Sequence, residues 1–271
     1  MKAGPWCGSA FGGELVPTQP YVNAVGKRLP GVTTVIGSSL GWNKDALIRW
    51  ANQEGLEGRN VRDPAGKAAK AADIGSAGHD MIELHVHGQD PETAVSLIAL
   101  SQDDRLAAQR AFGSFARWLE DTKIRIIGTE LWGVDELYQV GYCPDGVGVR
   151  GSDLTVEPPV QGKLTGDLEE QLIAYSHAGH QLVLLDWKTG KGVYPEHFIQ
   201  VATYGRLLEL RLSERANMDI RFDSAIILGV RPNGLFKHID FPRPLLDDGW
   251  LLFTYLRAIY SKRWEIEGLL K

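Results

Sequence analysis

The spacing of apolar residues changes near residue 123 of this 271-residue chain. Before that point apolar positions recur every three or four residues, a period that predicts amphipathic helices, whereas beyond it runs of Val, Ile and Leu predict strands. Residues 1–31 are rich in Gly and Pro, which predicts irregular chain. The helices predicted in the first half cover residues 44–57, 63–87, 91–100 and 103–122.

The second half of the chain predicts a sheet. Its predicted strands cover residues 124–134, 162–174, 181–189, 225–230 and 235–241, its helices cover 195–215 and 245–269, and a β-branched run predicts one earlier strand at 32–36. We expect the turn at 175–179 to join the strands over 162–174 and 181–189 as a hairpin. Helices, then a strand meander, a helix and two more strands predict a mixed α/β fold.

The composition is that of a soluble globular protein, with 44% hydrophobic and 23% charged residues. No window approaches the roughly 18 uncharged apolar residues of a membrane helix, so no membrane partner is expected. Cys7 and Cys143 are too few for a disulfide framework and favour a reducing, cytoplasmic location.

Acidic charge is concentrated in the middle of the chain. The formal net charge is -5, and residues 130–186 hold ten acidic residues against only Arg150 and Lys163. An acidic centre between balanced or mildly basic ends is typical of a metal-binding centre inside a phosphate-binding surface. A solvated acidic sheet edge is the alternative that charge alone leaves open.

The most informative segment is a buried strand that ends in Asp186, Trp187 and Lys188. Side chains two residues apart point to the same face of a strand, so Asp186 and Lys188 share a face. A carboxylate beside an ammonium can hold Mg²⁺ and position a water or a phosphate oxygen. A surface ion pair at a strand end is the alternative interpretation.

The predicted hairpin brings a second carboxylate to the same place. Counted from His177, Asp167 lies ten residues before the turn and Asp186 nine after it, so the two face each other. Facing carboxylates repel unless a cation lies between them, and Gly166 leaves backbone room for a ligand. The spacing therefore predicts a metal site between Asp167 and Asp186.

With these residues the chain resembles the PD-(D/E)XK nuclease superfamily, in particular its RecB-like and phage exonuclease branch. Residues 186–191, Asp-Trp-Lys-Thr-Gly-Lys, resemble the Asp-x-Lys-Thr motif of that branch, and Asp167 matches its first core aspartate. Gln200 and Tyr204 match the Gln-x-x-x-Tyr pattern that follows on a helix.

Two upstream motifs extend this resemblance. Residues 74–79, Ile-Gly-Ser-Ala-Gly-His, resemble the Gly-Thr-x-x-His motif of the RecB-like group, and residues 30–34, Pro-Gly-Val-Thr-Thr, resemble a motif of phage and mitochondrial relatives. The motifs follow the family's order over roughly residues 25–210. The resemblance implies a restriction-endonuclease-like core over residues 124–271, a mixed central sheet flanked by helices. Residues 1–123 would be an N-terminal helical region that contributes His79 within one compact unit.

The resemblance also implies a cofactor, Mg²⁺ or Mn²⁺. Its ligands would be His79, Asp167, Asp186 and the backbone carbonyl of Trp187, completed by waters. Lys188 would orient the attacking water and stabilise the charge of the transition state, with Asp167 and Asp186 as the other catalytic residues.

Substrate contacts are implied for Gln200, Tyr204 and Lys191. Tyr204 would stack on a base or hydrogen-bond a phosphate, Gln200 would hydrogen-bond the strand being cut, and Lys191 would contact phosphates. Ordinary packing in the core is the alternative for Tyr204. Glu130 matches an acidic position on the strand before the core aspartate, and it is both a candidate ligand and a candidate solvated strand residue.

Asp145 is the alternative to Asp167 as the first core aspartate. Residues 141–146, Gly-Tyr-Cys-Pro-Asp-Gly, resemble the Ser-Pro-Asp-Gly motif of lambda-type exonucleases, whose aspartate is a metal ligand. Asp145 precedes Asp186 by 41 residues, which leaves room for an extra hairpin, whereas the 19 residues from Asp167 fit a single one. We therefore favour Asp167, and a plain turn residue is the other interpretation of Asp145.

The expected function is that of a DNA exonuclease in phage or bacterial recombination, repair or replication. Candidate partners are DNA, a single-strand annealing or binding protein, and further copies of the chain in an oligomer. A structure-specific or restriction-type endonuclease and a DNA-binding protein without catalysis are the alternatives. No Gly-x-x-x-x-Gly-Lys-Ser/Thr motif is present, so no ATP-driven motor is expected, and two cysteines cannot build a four-cysteine iron–sulfur cluster.

Overall fold

A computed structural model describes residues 20–42, 44–61, 63, 66–151, 159–164, 166–189 and 192–270. These residues contain seven α-helices and two short 3-10 helices. The α-helices are α1 (Val32–Ser39), α2 (Lys44–Leu56), α3 (Lys67–Val86), α4 (Gln102–Thr122), α5 (Gly166–His177), α6 (Pro195–Ala216) and α7 (Arg243–Leu269), and the 3-10 helices are Pro91–Thr93 and Val95–Leu97.

The described residues also form seven strands in one mixed sheet. The strands are β1 (Ile124–Asp135), β2 (Val140–Tyr142), β3 (Gly146–Arg150), β4 (Val160–Lys163), β5 (Gln181–Lys188), β6 (Ser224–Val230) and β7 (Phe236–Pro242). Their order is β2-β1-β3-β5-β6-β7, and β4 pairs with β1. The β1–β4 and β5–β6 pairs are parallel and the others are antiparallel. The fold is therefore α/β, with a mixed sheet flanked by helices, as predicted.

Strand β5 is buried on both of its faces. Leu184 packs in a hydrophobic cluster with Leu208 of α6, and Leu185 packs in a second cluster with Phe115 of α4. A strand covered on both faces consists of a continuous apolar run, which is why the sequence alone indicated it. Helices α6 and α4 thus lie on opposite faces of the strand whose end carries Asp186 and Lys188.

The hairpin predicted around residues 175–179 is wrong. Residues 166–177 form helix α5, and the antiparallel partner of β5 is β3, a strand that the apolar pattern did not predict. Leu168 and Leu172 lie one helical turn apart and are both buried, while Asp167 lies in the first turn, where an acidic side chain stabilises a helix. This segment follows a helical period, so Asp167 does not oppose Asp186 on a neighbouring strand.

The strand predicted at residues 32–36 is also wrong, because this segment lies in α1. Val32, Val35 and Ile36 are buried together in the cluster that contains residues of α6 and α7. Packing of this helical face overrides the β-branched composition. Part of the N-terminal region thus shares its core with the C-terminal helices.

Most other predicted elements are confirmed within a few residues. These are α2, α3, α4, β1, β5, α6, the β6–β7 hairpin and α7, whereas the helix predicted over 91–100 is replaced by the two 3-10 helices. Among the described residues, no helix has the length and apolarity that a membrane span requires.

Candidate active site

The end of β5 places a carboxylate and an ammonium on one face, as the sequence predicted. Asp186 is 1% exposed, and both of its carboxylate oxygens lie 2.7 Å from Nζ of Lys188. Oδ1 accepts the lysine's hydrogen bond, whereas Oδ2 is buried with no hydrogen bond of good geometry. Only the charge of Lys188 therefore compensates Oδ2, and this oxygen can also accept a cation.

Asp145 is the carboxylate that lies beside Asp186. It directly precedes β3, whose first residue, Gly146, pairs with Leu185 of β5, so Asp145 and Asp186 are neighbours across the β3–β5 pair. Oδ2 of Asp145 accepts the backbone N–H of Trp187 at 2.9 Å. The expectation that Asp167 faces Asp186 is therefore corrected, because Asp167 is an exposed residue at the start of α5.

His79 reaches the same strand end from helix α3. Its ring centroid lies 6.4 Å from that of Trp187, and it hydrogen-bonds the backbone of that residue. This bond favours the protonated ring, which identifies the imidazole as the donor and the Trp187 carbonyl as the acceptor. The predicted convergence of His79 with the Trp187 carbonyl is thus present in the structure.

Two glycines of α3 allow this close approach. A Cβ atom on Gly75 would lie 2.8 Å from Oγ1 of Thr189, and one on Gly78 would lie 3.1 Å from its Cγ2. The first of these distances is shorter than real Cβ contacts, so a larger residue at 75 would push the helix and the strand apart. The small residues in the segment before His79 therefore position its side chain.

A buried polar network of Glu83, Thr129 and His87 adjoins the site. Glu83 lies one turn after His79 on α3, is 6% exposed, and accepts a 2.5 Å hydrogen bond from Oγ1 of Thr129 on β1. Nε2 of His87 lies 3.0 Å from both Glu83 Oε1 and Thr129 Oγ1. The charge of Glu83 acts on His79 and on Asp145, so this network influences the electrostatics of both.

Glu130 adjoins the site through its backbone. Its φ of 47° lies in the left-handed region, where non-glycine residues are uncommon, and its N–H donates to the carbonyl oxygen of Asp145 at 3.0 Å. This contact ties the irregular part of β1 to the residue that precedes β3. A ligand role for the Glu130 side chain stays a prediction.

Helix α6 presents Gln200 to the carboxylates. Nε2 of Gln200 lies 3.4 Å from Oδ1 of Asp186 and 3.2 Å from the hydroxyl of Tyr204. Tyr204 is 4% exposed and belongs to the core. The expectation that its ring stacks on a base is therefore corrected, because the ring is covered by protein. Tyr204 instead orients Gln200.

Two further aromatic residues, His197 and Tyr21, interact with residues of the site, and the sequence analysis did not identify either as a site residue. His197 lies on the same face of α6 as Gln200, three residues earlier, and the charge of Lys188 acts on it. The helical spacing of His197, Gln200 and Tyr204 could have revealed it. Tyr21 interacts with Tyr204 although 183 positions separate them, and no local pattern signals such a contact.

The remaining predicted substrate residue, Lys191, lies outside the described residues.

The N-terminal segment pairs with strand β2, close to the site. Residues 30–31 are described, and Gly141 of β2 donates its backbone N–H to the Pro30 carbonyl oxygen at 2.9 Å. The ring of Tyr21 covers Gly141 so closely that no Cβ atom would fit there. These contacts hold the N-terminal segment four residues from Asp145 along the chain.

Burial controls the charges in the site. Burial, and then repulsion by Asp145, raises the pKa of Asp186 to about 7, although Lys188 opposes the shift. Burial also raises the pKa of Asp145. Burial lowers the pKa of Lys188, but Asp186 and Asp145 together raise it more, so the lysine stays charged.

Burial and the charge of Lys188 lower the pKa of His79 to about 4, and the same two causes lower that of His197 to about 4. Both imidazoles are therefore neutral near pH 7. A neutral imidazole retains the lone pair that a metal ligand or a hydrogen-bond acceptor needs.

The donor set of the site fits a small divalent cation. Among the described residues, no three His, Cys, Asp or Glu side chains are grouped closely enough to form a ready-made metal centre. However, Oδ2 of Asp186 lacks a hydrogen bond, and Asp145, His79 and the Trp187 carbonyl surround the same strand end. Carboxylate and carbonyl oxygens with one imidazole are ligands that Mn²⁺ and, with waters, Mg²⁺ accept.

Compared with known proteins, the sequence matches no protein-family model and no curated protein.

Proposed function

We propose that this chain is a metal-dependent nuclease that hydrolyses phosphodiester bonds of DNA, with the core of the RecB-like and phage exonuclease branch of PD-(D/E)XK nucleases. The observation that carries the proposal is the pairing of Asp145 with Asp186 across β3 and β5, beside the ammonium of Lys188. Two buried carboxylates side by side, one of which raises the pKa of the other, are costly in a purely structural role.

The proposed metal is Mg²⁺ or Mn²⁺, held by Asp145, Asp186, His79 and the Trp187 carbonyl. When bound, it would acidify a water and neutralise charge on the phosphoryl oxygens. The metal would also take over part of the charge compensation that Lys188 provides to Asp186, which leaves the ammonium able to donate to the attacking water or to the phosphate.

The residues of α6 would act on the DNA strand. Gln200, oriented by the Tyr204 hydroxyl, can donate to a phosphate oxygen from its position beside Asp186. Nδ1 of His197 lies 3.2 Å from the Tyr194 N–H, which leaves Nε2–H as the donor of the neutral ring. We propose this face of α6 as the contact for the scissile strand, in place of base stacking by Tyr204.

An exonuclease in DNA recombination, repair or replication, in the cytoplasm of a bacterial or phage-infected cell, remains the proposed biological role. Cys143 is disulfide-bonded, so the cysteines do not support the reducing location that their number favoured. The decisive assay is cleavage of end-labelled linear DNA with Mg²⁺, with Mn²⁺ and with EDTA. We expect cleavage with either metal and none with EDTA or in Asp186→Ala. Cleavage that survives EDTA or that substitution would contradict the mechanism.

A DNA-binding protein without catalysis is the second candidate. The observation that favours it is the ion pair between Lys188 and Asp186, which partly compensates the carboxylate without a metal. Covalently closed circular DNA separates the possibilities. An exonuclease leaves the circle intact, an endonuclease nicks it, and a binding protein retards it in a gel without cutting linear or circular DNA.

A further inference from the structure

Helix α7 has a second apolar face, which is exposed in the part of the chain that the structure describes. The helix packs on the body through Leu246, Gly249, Phe253 and Leu256, which are buried. A separate row of apolar residues on α7 is exposed to solvent, each residue by between 37% and 56%: Leu245, Leu252, Ile259 and Ile266.

The members of this row, which we call the α7 stripe, are spaced by seven residues without exception. A straight α-helix has 3.6 residues per turn, so a seven-residue repeat drifts around it by about 20° per repeat. Such a row stays in line only against a second helix that supercoils around it. Tyr255 and Leu269 extend the stripe three residues after Leu252 and Ile266, the second apolar position of a heptad.

The C-terminal part of α7 is exposed where the structure describes it. From Lys262 to Leu270 every residue except Glu267 is exposed. Together, the stripe and its two additions leave six large apolar side chains exposed by 37% or more along one side of the helix. A contiguous exposed apolar patch of this kind marks an interaction surface.

We propose that the α7 stripe is a dimer interface, occupied by the stripe of a second copy of this chain in antiparallel orientation, with Ile259 near the two-fold axis. A two-fold interface uses the same surface on both copies, and Leu252 and Ile266 lie seven residues before and after Ile259. Leu252 of one copy then lies beside Ile266 of the other.

The antiparallel arrangement is favoured over a parallel one by two features. The exposed end of one α7 would lie along the half of the other that is packed on its body, so Leu252, Ile259 and Ile266 of both copies would be covered. Tyr255 would also meet Arg263 of the other copy, an arrangement that allows a cation–π contact, and the two helix dipoles would oppose each other.

The first experiment measures mass in solution. Light scattering and sedimentation of the full chain should show a dimer at micromolar concentration. Ile259→Glu should convert it to a monomer, because two carboxylates would meet at the axis. The matched control is Ile98→Glu, since Ile98 is an exposed isoleucine outside α7. This variant should remain dimeric, and both variants should keep the wild-type circular dichroism spectrum.

Cysteine crosslinking tests the orientation. Ile259→Cys should form an intermolecular disulfide on oxidation, whereas Ile266→Cys alone should not, because the two copies of residue 266 would lie about 20 Å apart along the axis. A mixture of Leu252→Cys and Ile266→Cys proteins should crosslink.

Three results would overturn the proposal. They are a monomeric wild type, a dimer that persists in Ile259→Glu, and efficient crosslinking of Ile266→Cys to itself. A monomer that binds vesicles of anionic phospholipid through this helix would assign the stripe to a lipid surface instead.

Discussion

Asparagine at position 145 should make the metal-free protein more stable while it removes the metal-dependent activity. Asn has the shape of Asp and can still accept the Trp187 N–H, so the turn before β3 is preserved. It lacks the negative charge that repels Asp186 and that a cation would use. A residue of purely structural importance would show the opposite effect on stability.

The magnitude follows from the pKa of Asp186, raised from 3.8 to about 7. Folding makes this carboxyl bind its proton more tightly, so its ionised form destabilises the protein progressively between pH 4 and pH 7 and fully above it. A shift of this size corresponds to on the order of 4 kcal/mol, and burial is its largest cause. We assign on the order of 1 kcal/mol to repulsion by Asp145, the second upward contribution.

The assay is thermal unfolding in EDTA. Asp145→Asn should raise the melting temperature at pH 8 by about 2–4 °C, and the gain should shrink towards pH 5, where Asp186 is already protonated. Mn²⁺ should raise the melting temperature of the wild type but not of this variant, because only a bound ligand adds stability. Cleavage of linear DNA should fall roughly a hundredfold or more, about 2.7 kcal/mol in the barrier.

Asp167→Asn is the matched control, since it is the same substitution at the other candidate aspartate. It removes a negative charge from the first turn of α5, so it should lower stability by about 0.3–1 kcal/mol and leave cleavage and the response to Mn²⁺ unchanged. If Asp167→Asn abolished cleavage and Asp145→Asn did not, the assignment of the site would be refuted.

Three further substitutions test the contacts around the carboxylates. His79→Ala should weaken Mn²⁺ binding, measured by calorimetry, far more than DNA affinity, measured in Ca²⁺; equal losses would contradict a ligand role. Tyr204→Phe should fold normally and reduce cleavage about two- to tenfold, because Gln200 loses a hydrogen bond worth about 0.5–1.5 kcal/mol, and unchanged kinetics would contradict an orienting role. Gly75→Ala should lower stability by about 1–3 kcal/mol and slow cleavage, because its Cβ would collide with Thr189. Gly113→Ala, in the open interior of α4, should instead raise stability by about 0.5–1 kcal/mol, and equal effects of the two glycine substitutions would contradict the packing argument.

The sequence predicted the elements whose burial follows one simple period. The continuous apolar run of β5 and the long helices α4, α6 and α7 could be recognised because each buries a face of constant spacing. Asp186 and Lys188 followed from the strand's period of two. Gln200 followed from its resemblance to a motif, and in the structure its Nε2 lies 3.4 Å from Oδ1 of Asp186.

The errors share a different physical cause. Strands β2 and β3 are only three and five residues long and contain glycines, so they give little periodic signal. Without β3, the only apparent partner for β5 was the segment that forms α5, and this placed Asp167 where Asp145 lies. Strand pairing is set by contacts between distant segments, which local spacing cannot report.

The corrected pairing gives the site a consistent structural origin. Gly146 allows β3 to lie against β5, because a Cβ atom there would come within 2.9 Å of the Trp187 ring. Gly75 allows α3 to lie against Thr189 at the end of the same strand. Small residues on two different elements therefore bring Asp145 and His79 to Asp186. The energetic cost of the buried carboxylates falls at the place where a strand end, a helix and a turn meet, and the cation of the proposed function would offset it there. A fold that only needed stability would have filled that place with apolar side chains.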